Sequence, residues 1–268
     1  MAEHPIVATN APEEHEPEVE EAFDRLVSEG KDRLGRPLLP LVSTGLLGGI
    51  DIGTGILAML LVLHATGSHL LAGLAFSIGF VALLLARSEL FTENFLVPVT
   101  AVVAREGTLR SLARLWGMTL LLNLVGGWIV MWLLVTSFPS LHETVLEAGT
   151  HFGTMPIGLR SFCLAVLAGV VITLMTRMQH GTESTGVRIV PAILFGALLA
   201  GGQLFHSVLD SLLMFGALIV GAPFGYLDWL ARLGWAALGN LAGGLLLVTA
   251  VRLLRVTHRI EEAHREKG

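Results

Sequence analysis

The sequence predicts an all-α polytopic membrane protein with six transmembrane spans, built as an inverted repeat whose second and fifth spans are broken. Three observations predict it. The composition is 53% hydrophobic and only 15% charged, with 31 glycines and a mean hydropathy of +0.71, which is more apolar sequence than a soluble core uses. Two long apolar runs are interrupted in their middles by polar residues, at corresponding places of two halves of similar size. Asn123-Leu124-Val125-Gly126-Gly127 reappears as Asn240-Leu241-Ala242-Gly243-Gly244 in the last span of the second half. An odd number of spans per half forces the two copies into opposite orientations.

The first 37 residues carry ten acidic and four basic side chains and no apolar core of a signal peptide, so they read as a cytoplasmic tail. Residues 1–17 are expected to lack structure. Val19, Ala22, Phe23, Leu26 and Val27 recur at helical spacing and predict a short amphipathic helix at the cytoplasmic interface, either an anchor or a lid over a pore. Residues 38–256 form the channel domain, and residues 257–268 a second cytoplasmic tail.

The spans are placed at residues 38–63, 70–104 (broken), 115–135, 159–176, 189–220 (broken) and 233–254, each long enough for about 30 Å of hydrocarbon at about 1.5 Å per residue. The first break is Arg87-Ser88-Glu89-Leu90-Phe91-Thr92-Glu93-Asn94. The second is Gln203-Leu204-Phe205-His206-Ser207, with Asp210 close behind. Non-helical backbone at bilayer depth survives only where protein or a wet cavity satisfies its N–H and C=O groups, so paired breaks point to a permeation site. Fourteen of the seventeen Lys and Arg fall before the first span, in the second and fourth connections, or at and beyond the end of the last span. That bias places both termini in the cytoplasm.

The rest of the composition narrows the function. Cys163 is the single cysteine, the ten histidines lack zinc-type spacing, and no glycine-rich phosphate loop is present, so neither metal nor cofactor is expected. A net charge of −5 gives no support to nucleic-acid binding. No nucleophile with an adjacent base suggests an enzyme.

At Ser88-Glu89-Leu90-Phe91-Thr92 and His206-Ser207 the chain resembles the formate/nitrite transporter family, whose members carry an acidic-Leu-Phe-Thr loop in the second span and a His-Ser in the fifth. The likeness covers about residues 20 to 258, with Phe76-Ser77-x-Gly79 and Gly239-Asn240 adding to it. The resemblance implies an aquaporin-like fold, a homopentamer with one pore per protomer in a bacterial plasma membrane, and passage of small monovalent anions such as formate, nitrite or hydrosulfide. It nominates Thr92 and His206 as the central polar pair, beside Phe91. Phe76, Phe80, Leu90, Leu199 and Leu204 become the apolar constrictions, and Thr173 falls where the family has Asn. The chain departs from the family pattern at Arg87 for Gly, Glu93 for a small residue, Phe205 for an acid and Asp210 for Asn.

Half-helix N-termini meeting near the midplane favour an anion, and His206 adds a tunable proton donor that either stabilises a weak-acid anion by a hydrogen bond or gives it a proton so that it leaves as the neutral acid, a proton-coupled passage, with Thr92 orienting the imidazole or the ligand. Asp210 shares a helix face with His206. An arginine at the depth of Arg87 needs a carboxylate or water, so either an intramembrane network of Arg87 with Asp51, Glu89, Glu93 and Asp210 is expected, or an Arg87 that faces the pore as an additional anion-attracting charge; Glu89 is expected to cap broken backbone. Alternatives to an anion pore are a facilitator of neutral solutes or weak acids, and a non-conducting sensor or scaffold that uses the acidic tail.

Overall fold

The computed structural model describes residues 17–265, with side chains from residue 20 onward. Of the tail expected to be unstructured, only Pro17 is described, and the side chain of Val19 lies outside the described residues.

The first helix, α1 (Pro17–Gly35), is followed by Pro37, whose extended backbone starts α2 (Leu38–Thr66). Gly67 ends α2 in the left-handed conformation at φ 65°, its N–H bonded to the Leu63 carbonyl at 2.8 Å. Ser68 then caps α3 (His69–Ala86) by accepting from the Leu71 N–H, so two apolar helices are joined by a tight turn and pack antiparallel. After the first break come a 3-10 turn (Phe91–Phe95) and α4 (Val97–Val103). A capping box of Thr108 and Ser111 opens α5 (Leu109–Ser137).

The second half repeats the plan. It contains α6 (His142–Thr154), α7 (Leu159–His180), α8 (Thr185–Gly201), α9 (Ser207–Ile219) after the second break, and α10 (Tyr226–Leu241). α10 runs on through a π-helical stretch (Ala242–Ala250) into α11 (Val251–Leu254), and α12 (Thr257–Arg265) ends the described chain. Among the described residues five helices are long and apolar enough to cross a membrane: Leu38–Thr66, His69–Ala86, Leu109–Ser137, Leu159–His180 and Tyr226–Leu254. The shorter apolar pieces Phe91–Val103, Thr185–Gly201 and Ser207–Ile219 flank the two breaks.

Glycine sets how closely these helices approach. A Cβ on Gly49 of α2 would meet the Asn123 carbonyl, and one on Gly126 of α5 the Leu46 carbonyl. The same relation holds in the second half, where Gly169 of α7 abuts the Asn240 carbonyl and Gly243 the Val166 carbonyl. Any side chain there would push the backbones apart, as small residues at membrane helix contacts prevent. Leu70, Leu121, Trp132, Leu194 and Leu246 face outward, the apolar exterior expected of a chain surrounded by lipid.

Two helices were not foreseen at their observed extents. α1 is longer than the expected amphipathic segment and does more than lie at an interface, because Phe23, Leu26 and Leu34 are buried and the helix packs on α4. α6 occupies the connection between the third and fourth predicted spans, where no helix was predicted. Val145, Gly149 and Phe152 form its buried face against α9, a spacing readable in the sequence but too short to stand out.

Candidate functional site

The two breaks have one backbone construction. α3 ends at Arg87 and α8 just before Gln203, both in the left-handed region at φ 54° and 49°. Behind them Ser88 N–H reaches the Leu83 carbonyl and Leu204 N–H the Leu199 carbonyl, each at 3.1 Å, closing the helix ends. Three residues past each left-handed turn lie Leu90 (φ −104°, ψ 136°) and His206 (φ −110°, ψ 124°), the extended caps of the next helices.

Each extended stretch is held by one buried asparagine. Asn123 donates to the Glu89 and Gly45 carbonyls, both at 2.8 Å, and accepts from the Phe91 N–H at 2.9 Å. Asn240 donates to the Phe205 carbonyl at 2.9 Å and the Ala165 carbonyl at 2.8 Å, and accepts from the Ser207 N–H at 3.0 Å. Thus the repeated Asn-Leu-x-Gly-Gly motif supplies the partners that broken backbone needs in an apolar surrounding, while its glycines permit the approach. In the first half Trp116 Nε1 donates to the Asn94 carbonyl at 2.9 Å and Thr249 Oγ1 to the Phe95 carbonyl at 2.8 Å.

Between the breaks, His206 Nε2 and Thr92 Oγ1 lie 2.9 Å apart, both fully buried. The Leu209 N–H donates to His206 Nδ1 at 3.1 Å, so Nδ1 is unprotonated and the imidazole carries its proton on Nε2. His206 therefore donates to Thr92, whose hydroxyl proton remains available to a further acceptor. Asp210 Oδ2 accepts the His206 backbone N–H at 2.7 Å, completing a reciprocal cap of α9.

Cavities lie toward opposite ends of α3. One, of about 560 Å³, is lined by Arg33, Arg36, Arg87, Glu89, Glu93 and His180 among others, on the side of the termini. The far cavity, of about 440 Å³, is lined by His64, His69, Glu143, Glu147, His151 and Gln203. A small apolar space of about 30 Å³ bounded by Phe152, Leu199, Leu204 and Leu209 shares His69 and Gln203 with it.

The expected charged network forms around a different arginine pair. Arg87 is exposed at the rim of the termini-side cavity and joins no ion pair among the described residues. The turn at Arg87 leaves its guanidinium where water reaches it, so no membrane carboxylate is required. Glu89 instead meets Arg36 Nη1 at 2.7 Å and Arg33 Nε at 3.8 Å, both from the segment that precedes the first span. Its capping role belongs to Asn123. Arg33 also donates to Asn94 Oδ1 at 3.0 Å and to Glu29, which in turn holds His180 Nε2 at 3.0 Å. Burial opposes the charge on Glu29, but His180 and Arg33 outweigh it and hold the carboxyl below the usual range. The Arg33 guanidinium is likewise buried, yet Glu29, Glu89 and Glu93 keep it firmly charged.

Asp51 is half-buried beside Ser88, and Asp210 serves the α9 cap. Leu90, Phe91, Phe76, Phe80, Leu199 and Leu204 are all buried, Phe76 and Phe80 edge to face at 5.5 Å midway along α3. Thr173 is buried in α7 against Gly244, and Phe95, from the same 3-10 turn as Thr92, belongs to that contact. Sequence reasoning missed Arg33 and Arg36 because their partner lies more than fifty residues onward. Only the i to i+4 spacing of Glu29 and Arg33 hinted at a clasp.

A family model described as "Formate/nitrite transporter" matches residues 20–254. The chain is 28% identical over 238 residues to "Inner membrane protein YfdC" of Escherichia coli (strain K12), covering 84% of this chain and 74% of that protein. Among solved structures, an "FNT family ion channel" superposes with a TM-score of 0.73 at 21% identity, covering 88% of this chain and 98% of that one. A "Pentameric formate channel with formate bound" superposes with a TM-score of 0.67 at 20% identity, over 81% and 96% of the two chains.

Proposed function

The chain belongs to the formate/nitrite transporter family of small-anion channels and transporters, and from that premise we propose that it passes small monovalent weak-acid anions, of the formate, nitrite or hydrosulfide kind, between its two cavities past Thr92 and His206. The observation that carries the reading is the 2.9 Å pair of His206 Nε2 and Thr92 Oγ1 where the two breaks meet. Leu90, Phe91, Phe76 and Phe80 would form the apolar neck on the termini side, and Leu199 and Leu204 the far neck. A desolvated anion there needs a donor, and the Thr92 hydroxyl, polarised by the His206 Nε2–H, is one.

The hydrogen bond at Nδ1 favours this role over direct protonation of the anion. A second proton on the ring would have to sit on Nδ1, facing the Leu209 N–H, and the cap of α9 would be lost. In the resting arrangement His206 and Thr92 thus stabilise the anion by hydrogen bonding, and proton coupling requires a rearranged ring.

The proposal extends to the assembly. We read six crossings, the second made by α3 with the Phe91–Val103 segment and the fifth by α8 with α9, related by an inverted repeat on which Asn123 and Asn240 are equivalent. The Lys and Arg bias supports cytoplasmic termini, the relative named as an inner membrane protein supports a bacterial plasma membrane, and the pentameric formate channel supports a homopentamer.

Reconstituted protein tested with formate, nitrite, hydrosulfide, acetate and glycerol should carry the small anions and exclude glycerol. Absence of any anion flux, or flux of glycerol alone, overturns the reading. Mass measurement in mild detergent should give five protomers, and reporters at Gly149 and Gly268 should lie on opposite sides of the membrane.

A further inference from the structure

α2 and α5 lie side by side and run the same way through the molecule. A Cβ on Gly45 would meet Leu122, one on Gly49 would meet Asn123 and Gly127, and one on Gly53 would meet Val130, so rising residue numbers climb both helices together. On that alignment Asp51 of α2 and Trp128 of α5 stand at one depth. Asp51 falls near the middle of α2, roughly 20 Å from its start at about 1.5 Å per residue, and so near the centre of the apolar layer.

The same contacts give the direction of each side chain. Asp51 is two positions from both Gly49 and Gly53, which face α5, and a step of two turns a helix by about 200°, so Asp51 points away from α5. Trp128 is two positions from both Gly126 and Val130, which face α2, and points away from α2. The two side chains leave the helix pair on opposite sides and cannot meet within one chain.

Both sites lie on the exterior. Trp128 is 38% exposed beside exposed Val125, Ile129 and Trp132, and Asp51 is half-buried between exposed Leu47 and Thr54. Apart from Ser88 beside it, no side chain of the described residues donates to the Asp51 carboxyl group, which lines neither of the two large cavities. Trp116 and Trp235 give their indole N–H to partners inside the chain, at 2.9 and 3.1 Å, whereas Trp128 gives its own to none of the described residues. One face thus carries an acceptor and the opposite face a donor, at a depth where lipid supplies neither.

We propose that neighbouring copies of this chain meet through these two faces, the Trp128 Nε1–H of one protomer donating to the Asp51 carboxyl group of the next. Each copy then gives one hydrogen bond and receives one, a head-to-tail contact of the kind that closes a ring rather than a two-fold pair. The exposed aliphatic side chains around Asp51 and Trp128 supply the packing that drives helix association in lipid, and the indole is the anchor. The inference rests on the homopentamer reading above and deepens it by naming the contact.

The experiment uses the full chain with Cys163→Ala, which removes its own exposed thiol, and adds Asp51→Cys, Trp128→Cys or both. Treated in mild detergent with a short apolar bis-maleimide, the double-cysteine protein should run on denaturing gels as a ladder up to the full ring, while each single-cysteine protein stays monomeric. Without cross-linker, Asp51→Ala and Trp128→Phe should each raise the concentration at which the oligomer dissociates by about tenfold, and the two together by no more than either alone, as the partners of one hydrogen bond do. Asp51→Asn keeps an acceptor and should preserve the oligomer, and Trp132→Phe, one turn away on the same face, should change it by less than about twofold. Cross-linked dimers from either single-cysteine protein would mean a two-fold contact and overturn the head-to-tail arrangement. An intact oligomer whose double-cysteine protein forms no ladder, or additive losses from Asp51→Ala and Trp128→Phe, overturns this contact alone. A wild type that is monomeric by mass in mild detergent overturns the assembly, and the contact with it.

Discussion

The two breaks share a backbone and differ in almost every side chain. Arg87 and Gln203 turn the chain the same way, Asn123 and Asn240 accept and donate the same three hydrogen bonds, and Leu90 and His206 take up nearly the same φ and ψ. Yet the first break sets Glu89 where the second sets Phe205, Leu90 where it sets His206, and Thr92 where it sets Val208. The membrane dictates the shared part, because unsatisfied peptide groups are costly in either half. What differs has been free to specialise: the first break is charged and clasped by α1, and the second is apolar around one imidazole.

The sharpest way to break this comparison is to remove its common element. Asn123→Leu and Asn240→Leu each orphan three buried backbone groups, at about 1 to 3 kcal/mol apiece, so each should cost roughly 3 kcal/mol or more and abolish assembly. Thermal unfolding in detergent and recovery of the oligomer measure it. Losses of similar size in both variants support equivalence. A tolerated Asn123→Leu beside a lethal Asn240→Leu would show that the first break is held by α1 and Trp116 rather than by its asparagine.

The next largest effect separates the halves. Glu89 is buried with Arg33 and Arg36 from the N-terminal segment, whereas Phe205 needs no partner. Arg33→Ala with Arg36→Ala should leave an uncompensated carboxylate at a cost of about 3 kcal/mol and release α1 to proteolysis, and Glu89→Gln should recover much of the loss. Failure of that rescue would assign the cost to lost packing of α1. Acid should loosen the same clasp. Glu29 titrates below its ordinary value of 4.5 in the folded protein, so its contribution is complete above that value and declines as pH falls below it. Protection of α1 should therefore weaken on strong acidification, and Glu29→Gln should lack that dependence.

His206→Asn tests the side chain peculiar to the second break. Asparagine is a good helix cap and can still accept from the Leu209 N–H, so stability should change by less than about 0.5 kcal/mol. The donor to Thr92 is lost, and flux should fall about tenfold, the equivalent of about 1.4 kcal/mol of anion stabilisation. Normal flux would make Thr92 alone sufficient and His206 a cap.

How much of this was readable in the sequence follows from the range of each interaction. Polar residues in an apolar run marked both breaks, and a repeated pentapeptide marked the two asparagines, because those signals are local. The His206 and Thr92 pair spans more than a hundred residues and was reached only through the likeness of its two short motifs to a known family. Arg33, Arg36 and Glu89 gave no such signal, so Glu89 was assigned to the wrong arginine. The side on which Arg87 emerges depends on its left-handed φ, which composition does not encode. α6 hid in a connection because thirteen residues with a narrow apolar face resemble a loop.

The smallest effect closes the comparison. Arg87 and Gln203 occupy the left-handed region, which costs an L-residue roughly 1 kcal/mol more than glycine. Neither side chain is part of an ion pair or hydrogen bond among the described residues, so Arg87→Gly and Gln203→Gly should each assemble normally and gain up to about 1 kcal/mol of stability. Their functional consequences should diverge by face. Arg87→Gly removes a cation from the termini-side cavity and should raise the apparent KM there, by about two- to fivefold for an exposed charge, and more so at low salt. Gln203→Gly should weaken uptake only from the far side. A loss of assembly in Arg87→Gly would mean that the guanidinium is paired after all, and the two turns would then differ in structure as well as in chemistry.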